Sequence, residues 1–239
     1  MEKYRILMEM NRKAIFSEEI SDLEKEKAVS GLLNGICCKE EIHNFKKPKT
    51  NILYANHYEL EIIRLLFLYA PENGLVNEMV ENTLRRLKDT CFGNSCAQGE
   101  CMAAGISVLR FLAVTRPGDL EWIDKLLGPL GELFLAFGNG QAAIQRGIPV
   151  SYLLMAFADI NNSRTRELIT QKKEWLTALL RRGWITGKLS NGKISEGDTY
   201  NIMGKYIIRN ALGTLPEYED ISKCEIYVND KDGRCYCNI

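Results

Sequence analysis

Two kinds of helical pattern alternate along the middle of the chain. The first kind is apolar on nearly every side, as expected of a helix enclosed by protein, and it occupies residues 57–69, 101–114, 149–160 and 198–212. The second kind has one apolar stripe at helical spacing and a polar opposite face, and it occupies residues 75–88, 119–137 and 164–182. The alternation predicts enclosed inner helices that amphipathic outer helices shield from water. We therefore expect buried side chains at Ile62, Leu109 and Leu154.

The pattern repeats at a regular distance. The inner helices begin near residues 57, 100, 149 and 198, a period of roughly 40–50 residues that is typical of stacked helical hairpins. A Phe-Gly-Asn tripeptide occurs at 92–94 and again at 137–139, where glycine is expected to supply the left-handed conformation that ends a helix. Residues 1–15 and 18–36 predict two further helices that cap the array.

Strands are predicted only near the C-terminus. Residues 183–194 predict a β-hairpin with its turn at Asn191-Gly192, and residues 224–239 predict a second hairpin around Asp232-Gly233. The predicted fold class is all-α, with repeated α-hairpins and these two small β-hairpins. A single domain of 1–239 is expected, with a helical cap and linker at 1–50, the repeats at 51–213 and a tail at 214–239.

Composition narrows the functional classes. Lys plus Arg and Asp plus Glu both number 31, and no long basic run is present, so a nucleic-acid partner is not expected. The longest apolar stretches, around 60–70 and 148–158, are shorter than the roughly 20 residues that a membrane helix needs. The first residues lack the continuous apolar segment of a signal peptide. A cytoplasmic location without a membrane span is predicted.

The repeats resemble the α/α toroids of the terpenoid cyclase and protein prenyltransferase superfamily. The resemblance covers about residues 55–213 and is carried by CFGNSCAQGECMAAGISVLRFLAV, FGNGQAAIQRGIPVSYLLMAFADI and LLRRGWITGKLSNGKISEGDTYNIMGKYIIRNALGTL. It implies inner helices arranged as a toroid or an open horseshoe. The aspartate-rich motif of the cyclases and the zinc ligands of the prenyltransferases have no counterpart that can be matched here, so the resemblance implies no catalytic residues.

The segments that lead into the inner helices carry polar side chains. In a ring or horseshoe these segments lie at one end, so their side chains are expected to converge over an apolar cup, the usual form of a small-molecule site. The catalytic candidates are His57, Glu59, Glu100 and Asp198. The ligand-binding candidates are Tyr58, Gln98, Gln145, Arg146, Tyr152 and Tyr200. Each acid is also explained by its favourable interaction with the dipole of its helix.

Three of the eight cysteines, Cys91, Cys96 and Cys101, follow one another at steps of five residues. Positions five residues apart on an α-helix differ in direction by about 140°, so the three thiols converge only if at least one comes from a loop. Together with His57 they would form a tetrahedral zinc site. The alternatives are reduced cysteines that pack as small hydrophobic residues, and redox chemistry.

Cys235 and Cys237 share one face of a predicted strand, with Cys224 on the partner strand. This spacing permits a disulfide or a three-thiolate site, and packing of the second hairpin onto the helices is the simpler interpretation.

Three functions therefore remain open. The first is a small-molecule-binding toroid, with an enzyme of the cyclase, transferase or lyase type acting on a partly apolar substrate. The alternative is a helical-repeat scaffold that binds a protein partner along its concave surface. The third is a cysteine-rich zinc protein or thiol redox protein, and zinc is the one cofactor that the residues suggest.

Overall fold

Helices account for most of the residues described by the computed structural model, which are 2–34, 58–96, 99–138, 150–185, 196–229 and 231–239. The α-helices of these ranges are α1 (Glu2–Phe16), α2 (Asp22–Leu33), α3 (Tyr58–Tyr69), α4 (Gly74–Lys88), α5 (Gly99–Thr115), α6 (Leu120–Ala136), α7 (Val150–Ile160), α8 (Ser163–Gln171), α9 (Lys173–Arg181) and α10 (Glu196–Leu212). Two 3₁₀ segments, Phe92–Asn94 and Pro216–Lys223, follow α4 and α10. None of the helices in these ranges combines the length and the apolar composition needed to cross a membrane.

Most predicted helices have the predicted ends to within about two residues, the usual uncertainty of a helix boundary. Local capping accounts for several starts. Ser21 and Glu24 form a reciprocal capping box at α2, and Asn73 and Asp119 accept hydrogen bonds from the first free N–H groups of α4 and α6. Because Ser21 caps α2, this helix begins later than the predicted residue 18.

The helix predicted over 164–182 is instead two helices. The backbone of Lys172, with φ −113° and ψ 9°, leaves the helical region between α8 and α9. Its side-chain Nζ donates a hydrogen bond of 2.8 Å to the carbonyl oxygen of Phe137, at the C-terminal end of α6. The break therefore coincides with a contact to a neighbouring helix, which the amphipathic stripe did not reveal.

The enclosed helices pack on one another in sequence order. Helix α3 contacts α5, α5 contacts α7, and α7 contacts α10, while α1 contacts both α10 and α3. The amphipathic helices lie against them, with α4 on α3, α6 on α5, α8 on α7 and α9 on α10. Ile62, Leu109 and Leu154 are buried, which confirms the predicted inner layer. On α4 the apolar stripe is also buried, except that Leu75 is exposed.

Three short antiparallel strands in the described residues form one sheet with the order β1-β3-β2. They are β1 (Trp184–Ile185), β2 (Ile226–Asn229) and β3 (Arg234–Cys237). The hairpin at Asp232-Gly233 is confirmed, and Gly233 has the positive φ of +62° that its turn requires. Trp184 and Ile185 pair with β3, whereas the rest of the hairpin predicted over 183–194 lies outside the described residues. Cys235 and Cys237 are buried against the helices.

Lys205 connects this region to the end of α9. The residue is completely buried, and its Nζ donates to the carbonyl oxygens of Leu179 (3.2 Å), Leu180 (2.5 Å) and Arg182 (2.9 Å). The last carbonyls of a helix have no partner within the helix. A lysine from α10 therefore satisfies the C-terminal end of α9, and this use of all three ammonium protons fixes the two helices together.

A charged cluster lies inside the otherwise apolar layer of enclosed helices. At its centre Glu61 on α3 accepts hydrogen bonds from Arg64 (3.0 Å), from Arg110 on α5 (3.1 Å) and from the hydroxyl of Tyr152 on α7. Arg64 also donates to Asn11 on α1 (2.9 Å). This interior network consists of Asn11, Glu61, Arg64, Arg110, Tyr152 and Asp159.

The charges of the interior network balance one another. Arg110 donates from Nε to Asp159 at 2.6 Å, so two arginines face two carboxylates. Burial alone would raise the pKa of Glu61, but Arg110 and Arg64 outweigh burial and hold that pKa below its usual range. Burial, together with the Glu61 carboxylate, raises the pKa of Tyr152. Its hydroxyl therefore stays protonated and donates a hydrogen bond to Glu61. The network joins α1, α3, α5 and α7.

Replacing Glu61 by Gln is expected to lower the free energy of unfolding by about 3–5 kcal/mol, because Arg64 and Arg110 would lose the buried carboxylate that they share. The matched control is Glu81→Gln. Glu81 pairs with Arg116 on the surface, where the side chains are 57% and 48% exposed, and the loss should be below about 1 kcal/mol. Urea unfolding at pH 7 measures both changes. Equal losses would contradict a central role for the network.

Acid should destabilise the wild type more than the Glu61→Gln variant. Because the pKa of Glu61 is lowered in the folded state, its charge contributes stability above the ordinary carboxyl pKa of about 4.3, and this contribution is lost as the pH falls through the lower folded-state pKa. The free energy of unfolding, measured at a series of pH values from 7 downwards, should fall more steeply below about pH 4.3 in the wild type than in Glu61→Gln. Parallel curves would show that Glu61 does not titrate as proposed.

Candidate metal centre

Three thiols meet between the end of α4 and the start of α5. Cys91 follows α4, Cys96 follows the 3₁₀ turn, and Cys101 lies in the first turn of α5. Their sulfur atoms all lie within 4.8 Å of one another, and the Sγ atoms of Cys91 and Cys101 are 3.2 Å apart. We call these residues the thiol cluster. The geometric prediction that at least one thiol must reach in from a loop is confirmed.

A sharp turn brings Cys96 back to Cys91. Ser95 adopts the left-handed conformation with φ 59° and ψ 37°, which a residue with a side chain adopts only infrequently. The turn allows the backbone N–H of Cys96 to donate to the carbonyl oxygen of Cys91 at 3.2 Å. Two of the three sulfurs are thus brought together by local backbone geometry.

Gly93 lets the turn pack closely against the end of α4, but its backbone does not adopt the predicted left-handed conformation. The residue has no positive φ, in contrast to Gly138 with φ +83°, so the prediction of a left-handed glycine is correct at 138 and wrong at 93. Gly93 is instead needed for close approach, since a Cβ atom there would lie 2.0 Å from the carbonyl oxygen of Leu87. Its own carbonyl accepts a 2.7 Å hydrogen bond from Nε1 of Trp122 on α6.

Asn94 braces the same turn from the other side. Its Nδ2 donates to the carbonyl oxygens of Lys88 (2.7 Å) and Thr90 (2.8 Å), which belong to the end of α4 and the residues that follow it. Its Oδ1 accepts from Lys125 of α6 at 3.3 Å. The loop that carries Cys91 and Cys96 is therefore tied both to α4 and to α6, so the thiol cluster is arranged before any ligand binds.

The spacing of the sulfurs suits a zinc ion. Three thiolates at the usual Zn–S distance of about 2.3 Å around a tetrahedral ion lie about 3.8 Å from one another. This is within the 4.8 Å limit that the cluster shows, although the Cys91 and Cys101 sulfurs, now 3.2 Å apart, would have to separate by about 0.6 Å. Cys91 is exposed and the other two are half-buried, so an ion can reach them. Within the described ranges, no other group of three or more His, Cys, Asp or Glu side chains is placed to hold a metal ion.

The thiols also influence the protonation of one another. Hydrogen bonding with Cys91, then burial and hydrogen bonding with Cys96, raise the pKa of Cys101 to about 12. Without a metal ion this thiol therefore holds its proton at neutral pH. A metal ion must displace that proton to bind, as is general for thiolate sites.

The other predicted site residues fall into two groups. Several lie in the first turns of the enclosed helices, as expected, and these are Tyr58 and Glu59 on α3, Glu100 on α5, Tyr152 on α7, and Asp198 and Tyr200 on α10. The remaining ones lie outside the described residues, and these are His57, Gln98, Gln145 and Arg146. Whether their side chains converge over a cup therefore stays a prediction.

Tyr152 does not lie at an open rim. Its side chain is completely buried, and its hydroxyl is bonded to Glu61 in the interior network. Tyr152 was predicted to bind a ligand, whereas in the structure its hydroxyl donates a hydrogen bond to Glu61 of the same chain. Glu59 is also buried, with only 8% of its surface exposed.

A small cavity lies beside the interior network. Its volume is about 80 Å³, and it lies among α1, α5, α7 and α10, bounded by Ile15, Arg110, Asp159 and Asn210. Pockets for drug-sized molecules usually measure about 300–1,000 Å³. This cavity therefore does not provide the predicted apolar cup, which would have to lie at the helix starts.

The network residues Glu61, Arg64 and Arg110 were not predicted as a group. The sequence does contain a feature that could have predicted them, because each is a charged residue within a helix that is otherwise apolar on nearly every side. A charge enclosed on all faces needs a partner of opposite charge. Glu61 and Arg64 are three residues apart, but the other partners lie 49 or more residues away in the chain, as with Glu61 and Arg110.

Comparisons of this chain with protein-family models, with curated proteins and with solved structures found no match. The interpretation of the site therefore depends on its own geometry.

Replacing Gly93 by Ala should lower the free energy of unfolding by about 1–3 kcal/mol, because the added methyl group would overlap the carbonyl oxygen of Leu87. Gly74→Ala is the matched control, since a Cβ atom at Gly74 meets nothing within 4 Å. Chemical unfolding measures both. If the two alanine variants are equally stable, the close approach at Gly93 does not constrain the loop.

Proposed function

We propose that this protein binds a zinc ion through Cys91, Cys96 and Cys101. The observation that carries the proposal is that three sulfur atoms lie within 4.8 Å of one another, two of them on a loop that is braced from two sides and the third at the start of α5. Pre-arranged ligands lose little conformational freedom when they bind, so such a loop favours tight binding. Thiolates and imidazoles are the usual protein ligands of zinc.

The fourth position decides what the zinc would do. A structural site is closed by four protein ligands, whereas a catalytic site keeps one position for water or substrate. His57 is the proposed fourth ligand, since it immediately precedes α3, the helix that packs directly against α5. If His57 does not bind, the open position would polarise a small molecule placed there.

A toroid is the arrangement that we propose for the helices. It is supported by the order of contacts, in which α3, α5, α7 and α10 each touch the next and α1 touches both ends of the series. In a toroid of helical hairpins the enclosed helices start at the same end. A structure determined by experiment in which α1 lies apart from α10 would contradict this arrangement.

Small-molecule binding at the helix starts is the second function that we propose. One observation favours it, namely that Glu59, Glu100 and Asp198 lie in the first turns of three enclosed helices, as Cys101 does. In a toroid these residues would share one end with the zinc. That end would then offer both a Lewis acid and carboxylates to a partly apolar substrate.

Metal analysis tests the zinc proposal directly. Protein purified without a His tag and incubated with zinc should retain close to one ion per chain after desalting, as measured by plasma mass spectrometry. Cys101→Ser should lower the zinc affinity by more than roughly 100-fold, because loss of an outer-shell partner alone already costs 10–100-fold. Less than about half an equivalent of zinc on the wild type would overturn the proposal.

Cys224→Ser is the matched control. Cys224 is half-buried, as Cys101 is, but lies outside the thiol cluster. Its replacement should leave the zinc content unchanged. Circular dichroism of each variant verifies that the helices remain folded, so that a loss of zinc is not mistaken for a loss of structure. Equal zinc loss in the two variants would contradict the assignment of the ligands.

A further inference from the structure

Two of the thiols in the cluster are close enough to react with each other. The sulfurs of Cys91 and Cys101 are 3.2 Å apart, so formation of a disulfide of about 2.05 Å requires a movement of only about 1 Å. Cys91 is exposed and lies in the loop rather than in a helix. An oxidant can therefore reach its sulfur, and the loop can accommodate the movement.

We infer that the thiol cluster is a redox switch in which a hydroperoxide converts Cys91 and Cys101 to a disulfide and thereby prevents zinc binding. Disulfide formation rests on the geometry of the thiols alone. The effect on zinc rests on the proposed function. The regulator is an alkyl hydroperoxide or hydrogen peroxide.

The reaction proceeds in two balanced steps. First, the Cys91 thiolate attacks the terminal oxygen of the hydroperoxide, an S–O bond forms as the O–O bond breaks, and the alkoxide leaves as an alcohol after taking a proton. Second, the Cys101 sulfur attacks the sulfur of the resulting sulfenic acid. The S–S bond forms, the S–O bond breaks, and the hydroxide leaves as water with the Cys101 proton. The hydroperoxide gains two electrons, and the two thiols lose them.

The disulfide removes two of the three thiolates proposed to bind zinc. Cys96 would be the only thiolate left, and the site would fall below the three or four protein ligands that structural and catalytic zinc sites use. A thiol reductant reverses the change by exchange through a mixed disulfide. The cluster would thus exist either as a reduced, zinc-binding form or as an oxidised, zinc-free form.

Cys235 and Cys237 provide an internal comparison. Both are buried, and they lie two residues apart on β3, where side chains on the same face are about 6–7 Å apart. Two such cysteines are too far apart for a disulfide, whose Cβ atoms are about 3.8 Å apart. They should not form a disulfide with each other under conditions that oxidise Cys91 and Cys101.

Peptide mapping of the reduced, metal-free protein tests the disulfide. The protein is treated with one equivalent of hydrogen peroxide, alkylated, and digested without reduction. Trypsin leaves all three thiols in one peptide, residues 89–110, because the chain has no Lys or Arg between Lys88 and Arg110. Additional cleavage after Glu100 separates Cys101 from the other two. We expect the two fragments to remain joined, with Cys96 alkylated.

Three variants identify the partner of Cys101. Cys96→Ser should retain the cross-link and Cys91→Ser should lose it, while Cys224→Ser, outside the cluster, should behave as the wild type. Persistence of the cross-link in Cys91→Ser, or its loss in Cys96→Ser, would overturn the assignment of the pair. Fragments that are not joined in the oxidised wild type would overturn the switch itself.

A second experiment measures the release of zinc on oxidation. Wild-type protein loaded with zinc is treated with hydrogen peroxide, and a chromogenic chelator reports free zinc, expected at about one ion released per disulfide formed. Zinc binding without a cross-link would overturn the switch and leave the proposed function intact. A cross-link in a protein that binds no zinc when reduced would overturn the proposed function while supporting the disulfide. Zinc retained by the cross-linked protein would overturn the regulatory role.

Discussion

The buried carboxylate of Glu61 is the constraint on which the enclosed layer depends. A charge removed from water is tolerated only with partners of opposite charge and complete hydrogen bonding. Those partners come from three different helices, with Arg64 on α3 itself, Arg110 on α5 and Tyr152 on α7. Apolar side chains can be packed in many ways, but this network is satisfied in few. It therefore disfavours arrangements of the helices that separate these partners.

Much of the helical architecture could be predicted from the spacing of apolar residues. A helix without a polar face must be enclosed, and the burial of Ile62, Leu109 and Leu154 follows from that rule. The break at Lys172 could not be predicted, because it coincides with a contact to Phe137, 35 residues earlier in the chain. Periodicity describes which face of a helix is buried, and it contains no information about which distant residue will meet that face.

The candidate site shows the same division between local and distant causes. Helical geometry alone shows that three cysteines at steps of five residues can bring their thiols together only if at least one lies in a loop. The turn at Ser95 is such a loop. The side chains that brace it are different, since Trp122 and Lys125 lie 29 and 31 residues beyond their partners. The structure thus adds the rigidity that separates a pre-arranged cluster from three nearby thiols. The proposed convergence of Glu59, Glu100 and Asp198 at one end still depends on the toroid.

The contact between α1 and α10 has a consequence for how the chain folds during synthesis. Asn210 of α10 donates a 2.9 Å hydrogen bond to the carbonyl oxygen of Ile15, 195 residues earlier. This contact cannot form until α10 has left the ribosome, and until then Phe16 at the end of α1 also lacks its edge-to-face partner Tyr206. Contacts of such long range slow folding and leave apolar surface exposed meanwhile.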